Sequence, residues 1–123
     1  MTQEDKQLLI KDLCGRLPYG VKYNYGGNEG CDYTMDRISL IAVDDAFPIE
    51  DIKPYLRPMS SMTEEEEKGY VLLSNHCIIT SVGFVCIEAQ ILIDWLNEHH
   101  FDYRGLISME LALEAPEGMY KID

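Results

Sequence analysis

The chain has 123 residues, 46% of them hydrophobic, and a net charge of −12. That length supports one core and one domain, and the apolar content excludes a disordered chain. The carboxylate excess excludes a broad basic face for nucleic acid, and no run of about 18 apolar residues is present to span a membrane.

The opening residues 2–17 read as a helix. Thr2 is placed to cap it, with Asp5 three positions on in capping-box register, and Leu9, Ile10, Leu13 and Leu17 recur at helical spacing. Gly15 weakens the end and Pro18 stops it. This segment also lacks a basic leader and a small-residue cleavage site, so the expected compartment is the cytoplasm. In a reducing compartment Cys14, Cys31, Cys77 and Cys86, none paired as CxxC, are expected to be free thiols.

"VKYNY" alternates, with Val21, Tyr23 and Tyr25 on one side, and predicts a strand. "GGNEG" follows as a turn; it lacks the Lys-Ser/Thr of a phosphate loop. "RISLIAV", residues 37–43, predicts a second strand that pairs with the first as an antiparallel hairpin. Pro48, Pro54 and Pro58 then mark a helical turn over residues 48–52 and an extended segment.

"SSMTEEEEKGY" opens a second helix, with Thr63 as N-cap and Glu66 at N3. Its glutamates suit the positive end of the helix dipole, and consecutive residues point around the axis instead of converging on a metal. "CIITSVGFVCI" reads as strand or a broken element. From residue 87 to 100 a core helix is predicted, with Ala89, Leu92, Trp95, Leu96 and His99 on one face. On that wheel Glu98 and His100 fall toward solvent or the helix end. Phe101 and Tyr103 anchor the departing chain, Gly105 allows a turn, and Asp102 with Arg104 form a local pair. Leu106, Ile107, Met109, Leu111 and Leu113 in the tail must dock to hide their apolar groups, as a strand or a short helix. The expected fold class is α+β: an N-terminal helix, a small antiparallel sheet and two further helices.

No nucleophile elbow, Walker loop, dinucleotide fingerprint or HExxH motif occurs. The adjacent His99 and His100 point about 100° apart on a helix, too far to share a zinc ion, and suit the negative helix end. No metal and no cofactor is expected. Arg16, Lys22, Arg37, Lys53 and Arg57 supply half of the ten cations, only Lys68, Arg104 and Lys121 follow them, and Tyr19, Tyr23, Tyr25, Tyr33 and Tyr55 fall in the same half of the chain. Tyrosines among cations stack on bases, hold phosphates or anchor protein interfaces. The candidate ligand-binding set is therefore Tyr19, Lys22, Tyr23, Tyr25, Tyr33, Arg37, Arg57 and Arg104, Arg104 being the lone cation between Lys68 and Lys121.

The blocks "IEDIKPYLRPMSSMTEEEE" and "DWLNEHHFDYRGLI" with "LALEAPEGMY", together with "EDKQLLIKDLCGRLPYGVK", resemble a family of small uncharacterised proteins of gut Bacteroides-type genomes, prophages and mobile elements. The chain departs from that pattern at Glu110, where glycine is more usual, and over residues 70–90. The resemblance implies an accessory protein of counter-defence type, which sequesters a nucleotide-derived signal or inhibits a host protein. Two functions follow as expectations. One is a non-catalytic binding protein for a nucleotide-like molecule or a host protein. The other is a small hydrolase or lyase using His99 or His100 with Asp102 and Arg104. Self-association is left open.

Overall fold

Local capping sets the first element. In the computed structural model, which describes residues 2–27, 30–36, 48–75, 79–80, 83–84 and 86–120, helix α1 spans Gln3–Arg16. Thr2 Oγ1 accepts from the Asp5 amide at 3.1 Å and the Asp5 carboxylate accepts from the Thr2 amide at 3.3 Å, closing the capping box. The buried face of α1 carries Leu9 and Leu13, and also Asp12 and Arg16. Gly15 does more than weaken the end: a Cβ there would lie 3.2 Å from Asn97 Nδ2, so its lack of a side chain lets the helix approach Asn97. A 3₁₀ turn, Leu17–Tyr19, runs through Pro18, and Gly20 closes it in the left-handed region at φ 67°.

The main sheet has four strands among the described residues. Strand β1 (Lys22–Tyr25) pairs antiparallel with β2 (Asp32–Thr34) and with β3 (Ile52–Leu56). The hairpin partner is thus Asp32–Thr34; the strand expected over residues 37–43 lies outside the described residues. Val21, Tyr23, Ile52 and Leu56 enter the core from the inner face. Pro54 is buried mid-strand. Asp51 and Tyr55 turn their carbonyls toward β1 and the Tyr120 hydroxyl there, so by alternation the missing N–H of Pro54 faces the other side, where pairing with the next strand begins only at Tyr55.

After β3, Thr63 and Glu66 form a second capping box (Glu66 amide to Thr63 Oγ1, 3.2 Å; Thr63 amide to Glu66 Oε1, 2.9 Å) that opens α2, Glu64–Asn75. A minimal pair, β4 (Ile79–Thr80) with β5 (Gly83–Phe84), precedes α3, Cys86–Glu98. The chain then returns as β6, Leu113–Glu114, parallel to β3, which makes the sheet mixed. A parallel neighbour needs a long crossover, and α2 and α3 supply it. Among the described residues the α+β fold thus has an N-terminal helix, a four-stranded mixed sheet and two further helices.

The core joins Leu9, Leu13, Val21, Met35, Ile49, Ile52 and Leu56 to Leu106 and Leu111 of the tail. The tail docks as the apolar pattern requires, except that Met109 stays exposed. A second aromatic group stacks Trp95 on His99 (4.2 Å between centroids) and on Phe101 (5.8 Å), with Tyr70 of α2 at 6.4 Å from Trp95.

Candidate functional site

The stretch "HHFDYRG" that follows α3 concentrates the polar groups, and its geometry starts from how the helix ends. His100 takes φ 62°. Its amide donates to Asn97 O (3.1 Å) and the Phe101 amide donates to Leu96 O (3.0 Å), the two bonds of a Schellman motif. A residue in the left-handed region leaves the helical wheel. Of the two places the wheel leaves open, His100 takes the helix end and not solvent, and it points inward, 8% exposed. Its ring stacks 3.7 Å from that of Tyr120. Burial, then the charges of Arg16, Arg57, His99 and Lys22, push its pKa down to about 4. Its Nδ1 has no hydrogen-bond partner among the described residues. His99 is half-buried and holds Trp95 O through Nδ1 at 2.8 Å.

Asp102 and Arg104 do not pair with each other. The Asp102 carboxylate accepts from the Leu106 and Ile107 amides, at 2.8 and 3.0 Å, and so caps the turn that follows. Arg104 instead donates to Asp12 Oδ1 at 2.7 Å, while Arg16 Nε donates to Asp12 Oδ2 at 2.8 Å. One carboxylate of α1 thus bridges two guanidiniums, and both stand over the Tyr103 ring, at 5.2 and 4.8 Å. Arg16 is fully buried and also donates to Phe101 O at 2.6 Å. Arg57 grips Glu66 through two 2.7 Å bonds and lies 4.3 Å over the Phe101 ring. These bonds hold the Glu66 carboxyl down to a pKa of about 2. His99, His100, Asp102 and Arg104 therefore serve four separate structural contacts and do not converge on one reacting atom.

The tail segment that ends at Tyr120 crosses the sheet beside this joint. The Lys22 amide donates to the Tyr120 hydroxyl at 2.8 Å, and that hydroxyl donates to Tyr55 O at 2.7 Å. It is spliced into the β1–β3 ladder one step beyond the Tyr23–Pro54 register. Desolvation pushes its pKa up to about 12, which keeps the donor proton in place. On one side of the tail lies a cavity of about 290 Å³ lined by Arg57, Ser61, Glu114 and Tyr120 among others. On the other, about 500 Å³ is bounded by Lys22, Asp32, Tyr33, Thr34 and the 116–119 turn. Asp32 there accepts from Asn24 (3.0 Å) and from the Tyr55 hydroxyl (2.7 Å), and both bonds lower its pKa.

The candidate ligand-binding residues are accordingly dispersed. Lys22 and Tyr33 share one cavity, and Arg57 lines the other while paired to Glu66. Tyr23 is buried in the core and Tyr25 packs against it. Tyr19 has its pKa raised by desolvation and by the Asp94 and Glu98 carboxylates, which is an acidic setting. Arg104 is committed to Asp12. Arg37 lies outside the described residues.

The net charge of −12 already pointed to an acidic exterior, and the fold decides which groups form it. Exposed carboxylates include Glu4, Asp32, Asp51, Glu64, Glu65, Glu67, Glu98, Glu110, Glu114 and Glu117, whereas Lys11 and Lys68 are the exposed cations among the described residues. The described arginines turn inward to carboxylates, so the outer surface is more one-signed than the composition suggests. Among the described residues no three His, Cys, Asp or Glu side chains are grouped to hold a metal ion, and no helix is long and apolar enough to cross a membrane. In comparison with known proteins, no family model, curated protein or solved structure shows a significant match to the chain.

Proposed function

We propose that the chain is a non-catalytic binding protein that engages a basic partner protein through its acidic exterior. It would act in the bacterial cytoplasm as a phage or mobile-element accessory protein that inhibits a host protein. One observation carries this reading: Arg16, Arg57 and Arg104 are spent on Asp12 and Glu66, which leaves an outer surface dominated by carboxylates. Such a surface steers a cationic partner over a Debye length and repels nucleotides. The dispersal of His99, His100, Asp102 and Arg104 over separate structural bonds supports binding over hydrolysis. The resemblance of the "IEDIKPYLRP" and "DWLNEHHFDYRG" blocks to the Bacteroides-type accessory family supports the setting.

The test uses immobilised chain and lysate of a Bacteroides-type host, with the captured protein identified, purified and rebound. The expected result is one dominant partner with a basic face, bound more weakly as NaCl rises from about 50 to about 300 mM. Salt-insensitive capture, or no capture, overturns the reading. So does heat stabilisation by a cyclic dinucleotide or an ADP-ribose derivative, which at a hundred times its Kd adds about 2.7 kcal/mol.

A further inference from the structure

Helix α2 is apolar on two sides, and the inner one is satisfied. Glu66 reaches Arg57, Gly69 abuts the Trp95 ring and Tyr70 stands beside it, all on one face at i, i+3, i+4 spacing. The opposite face carries Glu64, Glu67, Lys68, Val71 and Leu72 at the same spacing. Val71 is 49% exposed and Leu72 is 62% exposed. A buried helix needs one apolar stripe, so the second stripe needs a separate explanation.

Two open surface depressions flank this outer face and meet at Glu67 and Val71. One of about 450 Å³ is lined by Glu64, Glu67, Lys68, Val71 and Leu72. The other, of about 430 Å³, adds Met59, Met62 and Tyr70. Together they form a groove along α2 with an aliphatic and methionine floor. Methionine is unbranched and polarizable, and it adapts to varied apolar side chains. The rim is acidic through Glu64 and Glu67, with Glu65 also exposed on the first turn, and Lys68 offsets one of those charges.

We infer that this groove takes a basic amphipathic helix of the partner protein, whose leucine-type anchors fill the floor while its Lys or Arg residues meet the rim. The inference rests on the proposed acidic-surface binding and names the place where it becomes specific. Charge complementarity selects the occupant. A second copy of this chain would bring the same glutamates to the shared groove, whereas a cationic helix offsets them and buries Val71 and Leu72.

The test measures fluorescence anisotropy of a labelled peptide of about 18 residues, Leu and Lys only, with Leu at i, i+3, i+4 and i+7. A second peptide has the same composition with the order scrambled. The full chain is expected to bind the amphipathic peptide at least tenfold tighter than the scrambled one. Val71→Ser with Leu72→Ser is expected to weaken binding at least tenfold while leaving the Tm unchanged, since both side chains are half exposed. Glu64→Gln with Glu67→Gln is expected to weaken binding severalfold and flatten its salt dependence. In methyl-labelled protein the Met59 and Met62 signals should move on binding, while buried Met35 stays in place. Equal affinity for both peptides sinks the groove and leaves the acidic-surface reading standing. Failure of both peptides to bind sinks both. A concentration-dependent dimer that Leu72→Ser abolishes also overturns the inference, because a second copy would then be the occupant.

Discussion

Replacing His100 by asparagine separates one proton from the rest of the acid response. Asparagine tolerates the φ of 62° at this position and does not titrate. In the folded chain the imidazole pKa is down to about 4 from 6.5, because burial disfavours the cation and because Arg16 from α1, Arg57 beyond β3, the adjacent His99 and Lys22 from β1 oppose it. The group covering the ring, Tyr120, is neutral at these pH values and offers no compensating charge. The unfolded state therefore binds more protons between these two values. The stability contributed by neutral His100 is present above pH 6.5 and lost as pH falls toward 4. At about 1.4 kcal/mol per unit the full loss is about 3 kcal/mol, of which about 2 kcal/mol falls between pH 7 and pH 5. For a chain of this length that is a drop in Tm of roughly 8 °C. The Glu66 contribution, from a carboxyl held at about 2, is lost below its ordinary 4.5, and so in a lower window. Scanning calorimetry from pH 7 to pH 5 should show the drop in the wild type and a smaller one in His100→Asn. Parallel curves for the two proteins would refute the argument, because the acid response would then come from other groups.

Three further changes test the joint and the tail. Asp12→Ala leaves Arg16 buried without its carboxylate and frees Arg104, at a cost of about 3–5 kcal/mol in urea unfolding; a loss under about 1 kcal/mol would show that the pair is not desolvated. Tyr120→Phe removes the hydroxyl that bridges Lys22 N and Tyr55 O, which should cost about 1–3 kcal/mol and speed hydrogen exchange at the Lys22 amide; unchanged exchange there contradicts the splice. Glu110→Gly relieves a left-handed residue at φ 62° on an exposed turn and should raise stability by about 1 kcal/mol, read as a higher midpoint in urea.

That last position ties the two levels together. Residues 106–110 close with the Leu111 amide on Leu106 O and the Glu110 amide on Ile107 O, the bonding of a second Schellman turn. Glycine is the residue such a φ favours, because it has no Cβ to crowd the left-handed region.

The sequence by itself determined what is settled within a few residues. Thr2 with Asp5 and Thr63 with Glu66 cap α1 and α2 across three positions, so composition and spacing suffice. The alternation of Val21, Tyr23 and Tyr25 marked β1 for the same reason, since a strand shows its buried face every second residue. Tertiary structure decided the partners of the charges. Asp12 meets Arg104 across 92 positions and Lys22 meets Tyr120 across 98, and no local pattern encodes such distances. It also decided the direction of His100, because a positive φ after the last helical turn removes the side chain from the wheel used to place it. The candidate site followed the same division: the list of arginines and tyrosines was legible, but whether each cation faces a ligand or an internal carboxylate depends on which distant segment folds against it.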